Sequence, residues 1–170
     1  MHDKIMIIDY GSQYTQLITR RVRESKVYSE IFPYTVKADD IKKFSPKGII
    51  LSGGPSSVYS KEAYPLSSDI IDCGLPVLGI CYGLQLLVHN LGGTIHSKNR
   101  GEYGLAEVTF DVKNNIFDGL MIKSNVWMSH GDEIDELDNK WDVIGKSDND
   151  VIAAVSHKEY PFYGVQFHPE

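Results

Sequence analysis

Cysteine is scarce: the 170-residue chain has two, Cys73 and Cys81. That excludes a disulfide-built scaffold and fits a reducing compartment, where a lone thiol is judged by its surroundings. No uninterrupted run of about 18 apolar residues occurs, and MHDKIMIIDY is charged and too short to be a signal or membrane segment, so a cytoplasmic setting is expected and a membrane partner is not. Basic residues form no stripe. With 17 Lys and Arg against 23 Asp and Glu the net charge is -6, which argues against nucleic acid, and the Arg20, Arg21, Arg23 cluster reads as a solvated helix face. Also missing are CxxC, HExxH and EF-hand spacings, GxxxxGK[ST] and GxGxxG, so neither a metal nor a phosphate loop is expected. A hydrophobic fraction of 42% in a chain of this length rules out disorder and suits one domain.

What is present is short apolar runs between turn signals. Lys4 to Asp9, Tyr28 to Phe32, Gly48 to Leu51 and Pro76 to Ile80 read as strands. Between them, helical spacing runs from Tyr14 to about Glu24, over Ala38 to Lys43 and within Pro65 to Asp72, and a helix over Tyr82 to Leu91 closes at Gly92 and Gly93. This alternation predicts an α/β fold with an open, mainly parallel, doubly wound sheet flanked by helices. The second half is richer in strands, expected at Thr94 to His96, Ala106 to Val112, Val126 to Ser129, Trp141 to Gly145, Val151 to Val155 and Phe162 to Phe167.

The most informative segment is PVLGICYGLQ, Pro76 to Gln85. A strand runs through Gly79-Ile80-Cys81-Tyr82-Gly83 straight into a helix. Glycines two residues either side permit a sharp strand-to-helix elbow that exposes the central side chain at a helix start, where free amides and the dipole favour a thiolate. The same pattern also reads as a small apolar residue between packing glycines. The far end of the chain weighs on that choice, because FYGVQF leads into His168-Pro169-Glu170. On an extended backbone His168 and Glu170 point the same way, so an imidazole can take a thiol proton while a carboxylate orients it. A third element, Leu51-Ser52-Gly53-Gly54-Pro55, leaves the carboxyl end of a strand, where open α/β sheets place ligands. It reads either as an ordinary turn or as a source of backbone donors for an oxyanion.

Together, the SGGP loop, the GxCxGxQ elbow and the terminal HPE resemble the class I (triad type) glutamine amidotransferases, over the whole chain. The resemblance implies a flavodoxin-like fold and hydrolysis of L-glutamine to glutamate and ammonia. Cys81 would be nucleophile, His168 base and Glu170 orienter, with the amides of Gly54 and Tyr82 as oxyanion hole. Gln85 and a Ser129-His130-Gly131-Asp132 turn would hold glutamine. DYGSQYTQLITRRVRE, GIILSGGPSSV, the Arg100 to Gly104 segment and VWMSHGD (Val126 to Asp132) are similar to the branch that feeds ammonia to the amination of XMP to GMP. That branch implies a partner, an ATP pyrophosphatase (synthetase) domain or subunit binding XMP, ATP and Mg, and a homodimeric full-length enzyme. Residues 1–170 would then be one glutaminase domain, cut short at its C-terminus, with the pyrophosphatase and dimerisation domains absent and no cofactor of its own. Leu84 departs from the methionine common there. The alternatives are a glutaminase of anthranilate, aminodeoxychorismate or CTP synthesis, or a non-catalytic regulatory module.

Of the remaining candidates, Cys73 reads as a structural thiol, with a disulfide to Cys81 as the alternative, and His89 as a packed or solvated side chain. His2, His96 and His157 have no visible partner. His130 either meets substrate or shapes the backbone. The acidic run DEIDELD, Asp132 to Asp138, reads as solvated surface or as the edge of a partner-facing rim.

Overall fold

The computed structural model describes residues 3–170, with side chains at 98–100 excepted, so His2 and the Arg100 side chain lie outside the described residues. Strands β1 (Lys4–Asp9), β2 (Tyr28–Pro33), β3 (Gly48–Leu51) and β4 (Val77–Ile80) alternate with helices α1 (Thr15–Glu24), α2 (Ala38–Phe44), α3 (Ser68–Asp72) and α4 (Tyr82–Leu91). Strands β5 (Gly93–Phe110), β6 (Lys123–Leu137), β7 (Trp141–Ser147), β8 (Ile152–His157) and β9 (Phe162–Val165) complete one open sheet of order β2-β1-β3-β4-β9-β8-β7-β5-β6. The first five strands in that order are parallel, and the rest pair antiparallel. The expected α/β sheet with extra second-half strands is what forms.

Burial explains the apolar first strand. Met6 and Ile8 enter one core with Ile41 of α2, Ile70 of α3 and Leu84 and Leu87 of α4, whereas Ile7 enters the other with Ile18 of α1. A parallel strand covered on both faces has no polar side, so KIMIID needs no alternation. On the second half the structure corrects three expectations. The strands foreseen at Thr94 to His96 and Ala106 to Val112 are a single 18-residue β5. Ser129 to Asp132, foreseen as a turn, lies inside the 15-residue β6. Gly101 marks close backbone approach there, since a Cβ on it would sit 2.0 Å from the His130 carbonyl oxygen and 2.7 Å from Gly131 Cα. The acidic run is strand in all but Asp138 rather than mere solvated surface, with Glu133 and Ile134 buried and Asp135, Glu136 and Asp138 exposed. Strand β9 stops two residues before Phe167; the chain then bends and His168 bridges to Trp127.

Candidate active site

Cys81 is the hinge between β4 and α4. Its backbone sits at φ 50°, ψ -104°, a conformation that costs a non-glycine residue about 1–3 kcal/mol and persists only where the surroundings enforce it. Here the enforcement is visible. Its amide donates to the Val165 carbonyl at 2.8 Å, and its carbonyl accepts the Gln85 amide at 3.1 Å. Two glycines let the elbow close: a Cβ on Gly79 would lie 2.5 Å from the Gly83 carbonyl carbon, and one on Gly83 2.5 Å from the Leu51 carbonyl oxygen. The thiol therefore stands over the amino end of α4, where the first amides have no intrahelical acceptor.

His168 arrives from the other end of the chain. Its amide donates to the Trp127 carbonyl at 2.9 Å, and its Nδ1 lies 2.9 Å from Glu170 Oε1, leaving Nε2 for the sulfur. Both side chains are nearly enclosed, at 10% and 3% exposure. Burial pulls the imidazole's pKa down, but its hydrogen bonds to Cys81 and Glu170 outweigh that and raise it from 6.5 to about 10. The ring is thus an imidazolium at neutral pH, with its charge beside the sulfur. Tyr14 packs edge-on against the ring at 5.5 Å.

The Ser52–Pro55 loop lies over this pair. Ser52 Oγ accepts the Tyr10 amide and donates to the Gly53 carbonyl, both at 2.9 Å. A Cβ on Gly53 would be 3.4 Å from His168 Cε1 and 3.8 Å from Cys81 Cβ. Gly54, Tyr82, Cys81 and His168 border one cleft of about 650 Å³, together with Gln85 and Ser129 to Asp132. The sequence-predicted residues that converge on the cleft thus include every one but Glu170, which stands behind His168.

Within the cleft some roles differ from the simplest expectation. Gln85 Nε2 donates to the Asp132 carbonyl at 2.9 Å, so this side chain is engaged with the wall. The His130 ring turns into the protein, 1% exposed, with Nδ1 3.0 Å from the Asp132 carbonyl oxygen and Nε2 3.2 Å from Glu102 Oε2. Asp132 Oδ2 is buried at the cleft with no hydrogen-bond partner among the described residues. Sequence reasoning missed Gln166, whose Nε2 donates to Cys81 Sγ at 3.6 Å, and the β1–α1 loop, which brings Gly11, Ser12 and Tyr14 to the cleft. The position of that loop at a carboxyl strand end was the available signal. Among the described residues no group of three or more His, Cys, Asp or Glu is arranged to hold a metal ion, and no helix is long and apolar enough to cross a membrane.

The other candidates lie elsewhere. Both cysteines are free, and Cys73 Sγ donates to the Ile70 carbonyl at 3.0 Å at the end of α3. His89 is exposed beside the Tyr59 ring, and His157 is buried against Trp141.

Residues 6–170 match the family model for glutamine amidotransferase class-I. The chain is 49% identical over its whole length to a GMP synthase [glutamine-hydrolyzing] of Wolinella succinogenes, of which it covers 34%, and 50% identical over 99% of its length to that of Neisseria meningitidis serogroup B, of which it covers 33%. It thus spans about a third of the length of the curated relatives it matches. A solved structure from Thermoplasma acidophilum, described as a GMP synthase subunit, superposes with a TM-score of 0.88 at 30% identity, covering 99% of this chain and 85% of that one. A glutamine amidotransferase from Thermotoga maritima, at 21% identity and a TM-score of 0.78, covering 99% and 76%, shares the fold.

Proposed function

The chain belongs to the class-I glutamine amidotransferase family, and from that premise we propose that it hydrolyses the side-chain amide of L-glutamine to supply ammonia for the amination of XMP to GMP. The observation that carries the reading is the convergence of Cys81, at a strained elbow on a helix start, with the His168–Glu170 pair from the opposite end of the chain.

The Cys81 thiolate attacks the carboxamide carbon, and the negative oxygen that develops is received by the amides of Gly54 and Tyr82. Collapse breaks the C–N bond as the His168 imidazolium gives its proton to the departing nitrogen, leaving a glutamyl thioester and ammonia. His168, now neutral, takes a proton from water; the hydroxide attacks the thioester, and glutamate leaves with the thiolate restored. Glu170 holds the ring's tautomer and balances its charge. The unpartnered Asp132 Oδ2 would accept the substrate's α-ammonium, and Ser129, Gly131 and Gln85 shape the same wall.

The curated relatives, about three times longer, support a further part, the other two thirds, that this chain serves. That part would be an ATP pyrophosphatase domain or subunit binding XMP, ATP and Mg, with the complete enzyme a homodimer. A cytoplasmic setting goes with a thiol that must stay reduced. The test is release of glutamate and ammonia from L-glutamine, expected from the wild-type chain and lost in Cys81→Ala. Absence of hydrolysis in the wild type, alone and with a synthetase, overturns the reading.

A further inference from the structure

The β5–β6 ladder sets Glu102 directly opposite His130. Both side chains are withdrawn from solvent, at 13% and 1% exposure. The ring's two nitrogens meet only acceptors. Nδ1 is 3.0 Å from the Asp132 carbonyl oxygen, which cannot donate, so Nδ1 carries a proton. A neutral ring would then turn the bare lone pair of Nε2 on Glu102 Oε2 at 3.2 Å, repelling where the geometry is that of a hydrogen bond. One more proton must lie between the two groups. Glu102 Oε1 already accepts from Ser147 Oγ at 3.1 Å and Asn149 Nδ2 at 2.8 Å, so the carboxyl group is held at both oxygens.

The carbonyl that His130 holds is shared. Asp132 O also accepts Gln85 Nε2 at 2.9 Å; that Nε2 lies 3.4 Å from Gln166 Oε1, and Gln166 Nε2 reaches Cys81 Sγ at 3.6 Å. A continuous chain of hydrogen bonds thus runs from the β7–β8 hairpin, through Glu102 and His130, along the cleft wall to the sulfur. We propose that Glu102 is a positioning residue for the substrate cleft: it shares a hydrogen bond with Nε2 of His130, and through that ring fixes the Asp132 main chain and the Gln85 and Gln166 amides. The inference rests on reading the cleft as the glutamine site. Since Glu102 acts directly on the wall that receives substrate and reaches the sulfur only at the far end of the chain of bonds, through Gln166, its loss falls chiefly on binding.

Two measurements test it on the whole chain. Nitrogen-15 NMR of the His130 ring, assigned by the signal that disappears in His130→Gln, should show both nitrogens engaged in hydrogen bonds. In Glu102→Gln the Nε2 signal should move, because a side-chain amide replaces the carboxylate there. In L-glutamine kinetics, Glu102→Ala should raise KM roughly tenfold, the loss of one hydrogen bond, with kcat within about threefold. Glu102→Gln, which retains every donor–acceptor pairing, should restore KM to within about threefold of wild type. A bare Nε2 in the wild type overturns the proposal, as does an unchanged KM in Glu102→Ala. Should that variant fail to fold, the wild-type ring signal and the Glu102→Gln response decide. A wild type that hydrolyses no glutamine defeats the functional reading instead, and the ring signal still judges Glu102's hold on His130.

Discussion

Trp127 accepts the backbone amide of His168 at 2.9 Å, so the edge strand β6 holds the base by its main chain. The ring's direction is then set by Glu170 and its charge by the sulfur. The base's position, direction and charge come from three separate places, and each can be altered alone.

The nucleophile is distinguishable from the other thiol by chemistry. A glutamine-like diazoketone should label Cys81 and spare Cys73, whose sulfur is engaged with the Ile70 carbonyl. Peptide mass mapping reads the result, and equal labelling of both cysteines would contradict the assignment.

Stability should fall with rising pH on account of His168. Its folded-state pKa of about 10 lies above the free value of 6.5, so the proton binds the folded chain more tightly. That stabilisation is complete below about 6.5 and is lost as pH climbs through about 10. Denaturant unfolding across this interval should show the decline. Cys81→Ala, which removes the strongest upward influence on the ring, should flatten it and lower the imidazole's titration midpoint by NMR.

Glu170→Gln keeps the size of the side chain but puts an amide against Nδ1. Loss of the carboxylate removes the ring's counter-charge and its tautomer control, so kcat should drop by roughly two orders of magnitude or more, with KM little changed. A kcat within threefold of wild type would show that Glu170 plays no part in orienting the base.

Gly54→Ala should reduce kcat more than it raises KM. Its Cβ would come 2.8 Å from the Tyr10 carbonyl oxygen and 3.1 Å from the Tyr82 ring, so the loop over the thiol must shift. Losing one oxyanion donor costs about 3 kcal/mol in the transition state. Thermal unfolding of the variant separates that loss from simple destabilisation.

Glutamine hydrolysis by the chain alone should be slow, and addition of a synthetase with ATP and XMP should speed it roughly tenfold or more, about 1.4 kcal/mol in the barrier. Ammonia release followed with and without the partner checks this. A maximal rate without partner would mark an independent glutaminase.

The elbow was legible because everything it needs is local: two glycines, a cysteine between them, and a strand and helix on either side. His168 and Glu170 were legible for the same reason, as their shared direction follows from extended backbone. Gln166 was not, since its reach to the sulfur depends on the bend after β9 and on the parallel pairing of β9 with β4. Nor was Glu102. Its partner His130 lies 28 residues on, across a ladder whose register shifts between Ser97 and Glu102, and a pattern of period two carries no information across such a shift. Gly131 misled because a glycine inside a strand looks in sequence like one required by a turn; it is Gly101, packed against it, that has no room for a side chain.

Strand β9 comes last of the nine in chain order yet lies in the middle of the sheet, slotted between β4 and β8. During synthesis the elbow with its thiol leaves the ribosome long before the imidazole that charges it. Until β9 inserts, the two halves of the sheet have no common strand and the sulfur lacks both the Val165 carbonyl beneath its backbone and the base beside it. A nascent chain therefore carries an unarmed cysteine, and the ability to release ammonia appears only once the whole sheet has closed around its ninth strand.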